Sequence, residues 1–286
     1  GKEYSGDSLI TNYWELIEKN ASQIAKDFRI LPRTSGEHLP SEARFSGKKK
    51  NLFIGKGTKI DPYLVLDAET GPIYIGEDCE IHAWSFIQGP AYIGPGTIIN
   101  PGSVIREGSN IGKVCRVGGE VEESVLHAYS NKNHAGFLGH TYVGEWVNLG
   151  AMFTNSDLKN TYGHIKVYVR GRKVDSEATK LGGMIGDHAK ASIGSNLYTA
   201  KKVGVASQIH GYVTEDVPSF LFYARTLGIP PWELGLQETI EVARRMMSRR
   251  KVEMTGADER LLTKVFEITA QEREALKPQR GPFAFG

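Results

Sequence analysis

The sequence predicts a mainly β protein, a parallel β-helix of six-residue repeats with an N-terminal helix and a C-terminal helical extension. The aliphatic period is six, glycine tends to follow the aliphatic residue, and helical apolar spacing is confined to the two ends. Ile75, Ile81, Ile87, Ile93, Ile99, Ile105, Ile111 and Val117 recur at a strict spacing of six, with glycine next at Gly76, Gly94, Gly112 and Gly118. A 3.6-residue period would smear such residues around a helix, and a plain strand needs an apolar residue at every second position. A period of six instead marks stacked coils ~4.8 Å apart, each turning its β-branched residue inward.

With 286 residues, 40% hydrophobic and 24% charged, the chain can bury a full core and is not disordered as a whole. Its 35 Lys and Arg against 33 Asp and Glu leave a net charge of +2. That balance gives no bulk field for nucleic acid, so any anion site must be local. Cys79 and Cys115 lie inside the repeat as small buried thiols, make no disulfide framework and fit a cytoplasmic location. No apolar run of ~18 residues occurs, and the start lacks a secretory core, so no membrane partner is expected.

Residues 9–28 carry Leu9, Tyr13, Leu16, Ile17, Ile24 and Phe28 at helical spacings and predict one amphipathic helix. The proline- and lysine-bearing stretch LPRTSGEHLPSEARFSGKKK reads as a linker, which sets a first segment at 1–50. Ile54, Ile60 and Leu66 predict starter coils, and the stack is expected to span 51–217. Its rhythm loosens after Val117, resumes at Val143 and Leu149, and breaks again over NSDLKNTYGHIKVYVRGRKVDSEATKLGG. A long polar loop on a rigid solenoid commonly carries function. Hexads return at Ile185, Ala191, Leu197, Val203 and Ile209.

The segment 218–286 changes to helical spacing, with Leu236, Ile240, Ala243 and Met247 on one side of a first helix and Leu261, Leu262, Val265 and Phe266 on one side of a second. Thr269 and Glu272 form a capping-box pattern for a last short helix. The cluster Arg244, Arg245, Arg249, Arg250 and Lys251 reads as a solvated face, with contact to a cofactor phosphate or partner protein as the alternative.

The motifs SNKNHAGFLG and GHTYVGEWVNLGAMFTNSDLKNTYG resemble the acetyltransferase domain of the bifunctional N-acetylglucosamine-1-phosphate uridylyltransferase/glucosamine-1-phosphate N-acetyltransferase family, over roughly residues 50 to 228. The resemblance implies a left-handed β-helix, a homotrimer with sites between subunits, and a place in nucleotide-sugar synthesis. The family's nucleotidyltransferase domain has no counterpart here, since no Gly-rich G-x-G-T-R-x-x-P loop or βαβ succession is present. By the resemblance, His134 is the general base, Asn148 contacts the sugar and Arg106 binds the sugar phosphate. A guanidinium suits bidentate phosphate pairing, and an imidazole can take an amine's proton as a thioester is attacked.

Two positions depart from the family pattern. GGEVEESV places Glu122 or Glu123 where the family has a phosphate-holding lysine, which leaves Lys132 or Lys159 for that role, and Phe137 replaces a tyrosine in the acceptor pocket. For the donor, acetyl-CoA, the resemblance implicates Ser195, Arg225 and an amide such as that of Gly204 as an oxyanion donor. The expected function is acetyl-CoA-dependent N-acetylation of an amino-sugar 1-phosphate, glucosamine 1-phosphate first, by direct attack. The alternative is a non-catalytic structural or regulatory trimer, part of a sugar-nucleotide nucleotidylyltransferase. A metal enzyme like the γ-class carbonic anhydrases would use His127, His134 and His140, but their spacings of seven and six do not give that family's H-x-x-x-x-H pair, so no metal is expected.

Overall fold

The structure is a computed structural model that describes residues 9–33, 36–169 and 171–281. Residues 1–8, 34–35, 170 and 282–286, which fall in the expected N-terminal, loop and C-terminal segments, lie outside it. The six-residue period becomes short parallel strands, and the strands stack into sheets of 6, 8 and 10 strands that form the first, second and third faces of a solenoid. A 3-stranded sheet from Thr154–Asn155 to Tyr212–Val213 stacks below the first face. The hexapeptide repeats fit a left-handed β-helix. Only the final strand, Ile229–Glu233, runs antiparallel to its neighbour, Leu221–Ala224, within the third face.

Every isoleucine of the column from Ile75 to Ile111, and Val117 after it, is buried. The ladder is not interrupted after Val117. Val121, Leu126, Leu138 and Val143 continue the interior, and Val117 pairs in register with Lys132. The rhythm loosens in sequence because three corners shorten, before Val121, Leu126 and Val143, and because a lysine occupies an aliphatic position. Glycine after the inward residue is a stacking requirement. A Cβ on Gly112 would lie 1.3 Å from the carbonyl oxygen of His127 in the next coil, and one on Gly94 would lie 2.5 Å from the backbone of Gly112.

The ends differ from the sequence expectation in instructive ways. The helix over residues 9–28 is two pieces, α1 (Glu15–Glu18) and α2 (Asn20–Asp27), divided at Lys19, and the Glu15 carboxylate collects the Asn12 amide at 3.1 Å and the Thr11 hydroxyl and so sets the start of α1. The expected linker contains strand Arg44–Gly47, which pairs with Val65–Ala68 and lays Phe45 on the end of the column. The ladder likewise runs past residue 217, since Leu221–Ala224 pairs with Gln208–Ile209. The long polar break is a hairpin, Lys166–Val169 with Arg172–Asp175, whose Val167 packs with Ile165, Leu181, Trp14 and Ile17.

Three helices close the other end: α3 (Leu236–Ser248), α4 (Gly256–Ile268) and α5 (Ala270–Glu274). They dock on one solenoid corner where Tyr129, Trp146, His188 and Phe220 adopt φ of 54°, 58°, 59° and 58°. Residues with a Cβ enter this left-handed region at a cost. Here the cost is offset by stacking, as Tyr129 and Trp146 lie 4.2 Å apart and 6° from parallel, and Ile240, Ala243, Met247 and Leu262 bury against the same corner. Ile240, Ala243 and Met247 are the expected inward residues, whereas Leu261 is exposed. The capping box stands at Thr255 and Asp258, not at Thr269. The Thr269 hydroxyl donates to the Val265 carbonyl at 2.7 Å, so it caps nothing ahead of it. Arg273 is buried and donates to Glu233 at 3.1 Å, holding α5 to the final strand. No helix among the described residues is long and apolar enough to cross a membrane.

His188 sits inside this docking corner with Nδ1 buried and unbonded. Burial, then the charge of Lys190, push its imidazole from 6.5 down to about 4. The unfolded chain therefore takes up this proton first, and stability is lost as pH falls from about 6.5 toward about 4. Thermal melts across that range should show a loss on the order of 3 kcal/mol in the wild type and a much flatter profile in His188→Gln; equal profiles would show that His188 is not the titrating group.

Candidate functional site

The third face and the corner after it carry His134. Register pairs join Lys132's strand successively to Leu149, Ala191, Ile209 and Tyr223. The residues two further along, His134, Ala151, Ile193, Gly211 and Arg225, therefore share one edge, and His134 and Arg225 stand roughly 19 Å apart along it at ~4.8 Å per coil. The His134 side chain is exposed, and its ring has no hydrogen-bond or ion-pair partner among the described residues. By contrast the rings of His82, His127, His140 and His164 each meet a carboxylate.

The turn that presents His134 is pinned from inside. Lys132 is 2% exposed, and its ammonium donates to the carbonyls of Gly118 at 2.7 Å and His134 at 2.8 Å. The Asn100 amide reaches over Gly118 of the intervening coil to the side-chain oxygen of Asn133 at 2.9 Å. Lys132 is thus no stand-in for a phosphate-holding lysine, because its donors are directed at backbone carbonyls in the core. Lys159 donates to the His164 carbonyl within the polar excursion, so it too is committed locally.

The last strand of the first face begins at Phe137, whose amide donates to the Thr154 hydroxyl at 3.3 Å. Its ring lies over Gly139, where a Cβ would approach it to 2.3 Å. At the far edge of that face Arg106 faces Glu107, Glu120 and Glu122 at 3.7 to 3.8 Å. Three carboxylates already supply the negative charge expected from a sugar phosphate, so the surroundings of Arg106 oppose that role. Lys180 donates to Glu122 at 3.1 Å. Beside them the Nδ1 of His140 meets Asp157 at 2.8 Å and its Nε2 lies 3.6 Å from Glu123. Burial works to raise the Asp157 carboxyl, but the bond from His140 and the charge of Lys180 hold it below its usual value. Sequence spacing did not single out the His140–Asp157 pair as a dyad. The signal was the aspartate of SDLKNTYG, which closes a 17-residue separation onto the corner.

The remaining expected residues scatter. Asn148 lies on the third face, where its side-chain oxygen accepts from Asn131 at 3.1 Å. Ser195 is fully buried and its hydroxyl donates to the Ile209 carbonyl at 3.2 Å, a coil-to-coil tie that no cofactor can reach. The Gly204 amide donates to the Val217 carbonyl at 2.8 Å and is unavailable as an oxyanion donor; the glycine is required because a Cβ would come within 2.2 Å of the Ser219 nitrogen. Arg225 is exposed at the edge and pairs with Glu215 at 2.7 Å. Cys79 and Cys115 are free and buried, and burial pushes the Cys115 thiol up to about 11.

The chain is thus a hexapeptide-repeat β-solenoid protein; the bacterial transferase hexapeptide profile (six repeats) matches residues 72–107. Among curated proteins it is similar to the bifunctional sugar-1-phosphate nucleotidylyltransferase/acetyltransferase of Sulfurisphaera tokodaii, 33% identical over 155 residues covering 51% of this chain and 38% of that protein. It is also similar to the bifunctional protein GlmU of a Synechococcus strain, 27% identical over 51% of this chain and 32% of that protein. The matched part thus spans about a third of the length of these relatives. Among solved structures, the Arabidopsis UDP-N-acetylglucosamine acyltransferase aligns with a TM-score of 0.40 at 14% identity, covering 87% of this chain and 100% of that chain.

Lys132 is a charge inside an apolar column, and burial pushes it from 10.5 down to about 8. The unfolded chain keeps that proton to higher pH, so stability should rise as pH climbs from about 8 to about 10.5, and Lys190, also brought down to about 8, adds to the rise. Urea unfolding midpoints of Lys132→Met should climb with roughly half the wild-type slope over that window; an unchanged slope would mean that Lys132 keeps its proton in the folded column up to its ordinary value.

Proposed function

We propose that the protein is an acyltransferase that carries an acetyl group from acetyl-CoA to the amine of an amino-sugar 1-phosphate, with glucosamine 1-phosphate the first acceptor to test. The observation that carries this is His134, an exposed imidazole with free ring nitrogens on a turn that Lys132 anchors through the His134 carbonyl. The relative named as a bifunctional sugar-1-phosphate nucleotidylyltransferase/acetyltransferase supplies the substrate class.

In this mechanism the acceptor amine attacks the thioester carbonyl carbon while a ring nitrogen of His134 takes the amine's proton. The tetrahedral intermediate then collapses, the C–S bond breaks, and His134 returns the proton to the departing thiolate. The turn anchored by Lys132 holds the His134 backbone in place and leaves its ring free to meet the acceptor amine. The edge shared by His134 and Arg225 lets an extended donor lie along the coils, with Arg225 exchanging its Glu215 partner for a donor phosphate. Phe137 offers the acceptor an apolar face next to His134. A thioester assay with acetyl-CoA and glucosamine 1-phosphate tests the assignment: His134→Ala should lower kcat by ~10²–10⁴ with the fold retained, and a wild-type rate in that variant would remove His134 from the mechanism.

The assembly we propose is a homotrimer in which neighbouring solenoids pack side by side and the His134 edge lies between subunits. Exposed apolar residues along that edge, Trp84 at 67%, Met152 at 60% and Ile193 at 77%, are the surface such packing would cover. Light scattering should return three times the chain mass, and a catalytically active monomer would exclude a shared site.

A further inference from the structure

The arginine cluster at the end of α3 is solvated only in part, with Arg245, Arg249 and Lys251 exposed and Arg250 half-buried. Arg244 pairs with Glu241 and Glu259, but Arg245, Arg249 and Arg250 line a cavity of about 330 Å³ against the third face of the solenoid with Asn131, Asn148 and Lys190. Its floor follows from the register. Arg116, Asn131, Asn148, Lys190 and Gln208 are successive outward residues on neighbouring coils, a row with no carboxylate in it. The wall comes from the last turn of α3 and the turn after it: Arg245 lies in the helix, Arg249 is its C-cap and Arg250 follows.

The charges in this cavity lack counter-ions. None of Lys190, Arg245, Arg249 and Arg250 forms an ion pair with a carboxylate among the described residues, in contrast to Arg244, Arg273 and Arg280 elsewhere in the C-terminal segment. Arg250 donates to the side-chain oxygen of Asn131 at 2.6 Å, while its Nε is buried with no partner. Burial, then the charges of Arg116 and Arg249, push the Arg250 guanidinium below its usual value. Lys190 donates only to the His188 carbonyl, at 2.8 Å. Like charges gathered under a helix repel one another and lose hydration, a cost that folded chains meet with a compensating anion.

We infer that this cavity is a binding site for a phosphorylated small molecule, with a diphosphate group bound more tightly than a single phosphate. Three guanidinium groups and an ammonium offer more charge than a lone carboxylate can neutralise, and guanidinium forks match phosphoryl oxygens pairwise. A cavity of about 330 Å³ admits a diphosphate group. Asn131 and Asn148 contribute side-chain amides that hydrogen-bond phosphoryl or sugar oxygens, so the Asn148 expected from the sequence to meet a sugar takes part here, on the third face and away from Phe137. The site stands independently of acyl transfer at His134.

Titration calorimetry with the full chain and inorganic pyrophosphate tests it, with inorganic phosphate as the second probe. The wild type should bind pyrophosphate more tightly than phosphate, with affinity falling as salt rises. Lys190→Gln and Arg249→Gln should each weaken pyrophosphate roughly 10- to 100-fold, whereas Lys264→Gln on the outside of α4 should leave it unchanged. Arg249 is exposed, so that variant keeps the fold, and matching melting curves verify this. Competition by CoA or by a nucleoside-diphosphate sugar then identifies which diphosphate source the cavity takes. Absence of heat at millimolar pyrophosphate, or equal affinity in wild type and Arg249→Gln, overturns the proposal, and a normal acetyl-transfer rate alongside it would leave the role of His134 standing.

Discussion

Close stacking of parallel coils is the constraint on which the rest of the molecule depends. Each coil gives its backbone amides to the carbonyls of its neighbour, so the interior is set at the spacing of a β-ladder and every corner must bring two backbones almost into contact. Corner glycines such as Gly112 follow from that distance, because any Cβ would strike the next coil. The aliphatic column follows from it as well, since only side chains that stack on copies of themselves fill a prism of constant cross-section. A single inward ammonium, that of Lys132, breaks this uniformity, and it is tolerated because two carbonyls receive it.

Corners are where the solenoid acquires individuality. A flat face repeats the same outward geometry from coil to coil, but a corner residue in the left-handed region projects its side chain away from the ladder. Tyr129, Trp146, His188 and Phe220 use that projection to build an aromatic strip, and the C-terminal helices bury their apolar sides on it. The hairpin at Lys166–Val169 and Arg172–Asp175 does the corresponding work for the N-terminal helices through Val167, Trp14 and Ile17. Another corner presents His134 to solvent. Rigidity inside and variety at the corners thus arise from one geometric rule.

Electrostatics divides the surface into regions of opposite character. On the first face Arg106, Lys180 and His140 are matched by Glu107, Glu120, Glu122, Glu123 and Asp157, so the local charge is largely compensated. On the third face Arg245, Arg249, Arg250 and Lys190 meet no carboxylate among the described residues; Arg250 donates to the Asn131 side-chain oxygen and Lys190 to the His188 carbonyl. A net charge of +2 conceals this contrast, because an overall balance reports nothing of how the charges are distributed in space.

The chain's order of residues was enough to establish the solenoid, its inward column, the glycines after it and the helical faces of Ile240, Ala243 and Met247, because each is a periodic or local pattern read at fixed spacing. It also singled out His134 through the motif around it. It was misleading wherever a residue type had to be placed inside or outside the prism: Lys132 and Ser195 read as ligand contacts yet lie in the core, and the Gly204 amide is spent on the ladder. Those outcomes depend on which coils become neighbours after corners shorten or a hairpin is inserted, so no linear spacing contains them. The same holds for the pairing of His140 with Asp157 and for the cavity beneath α3, where residues more than 100 positions apart, Asn131 and Arg250, come within hydrogen-bond distance only because the last helices fold back over the third face.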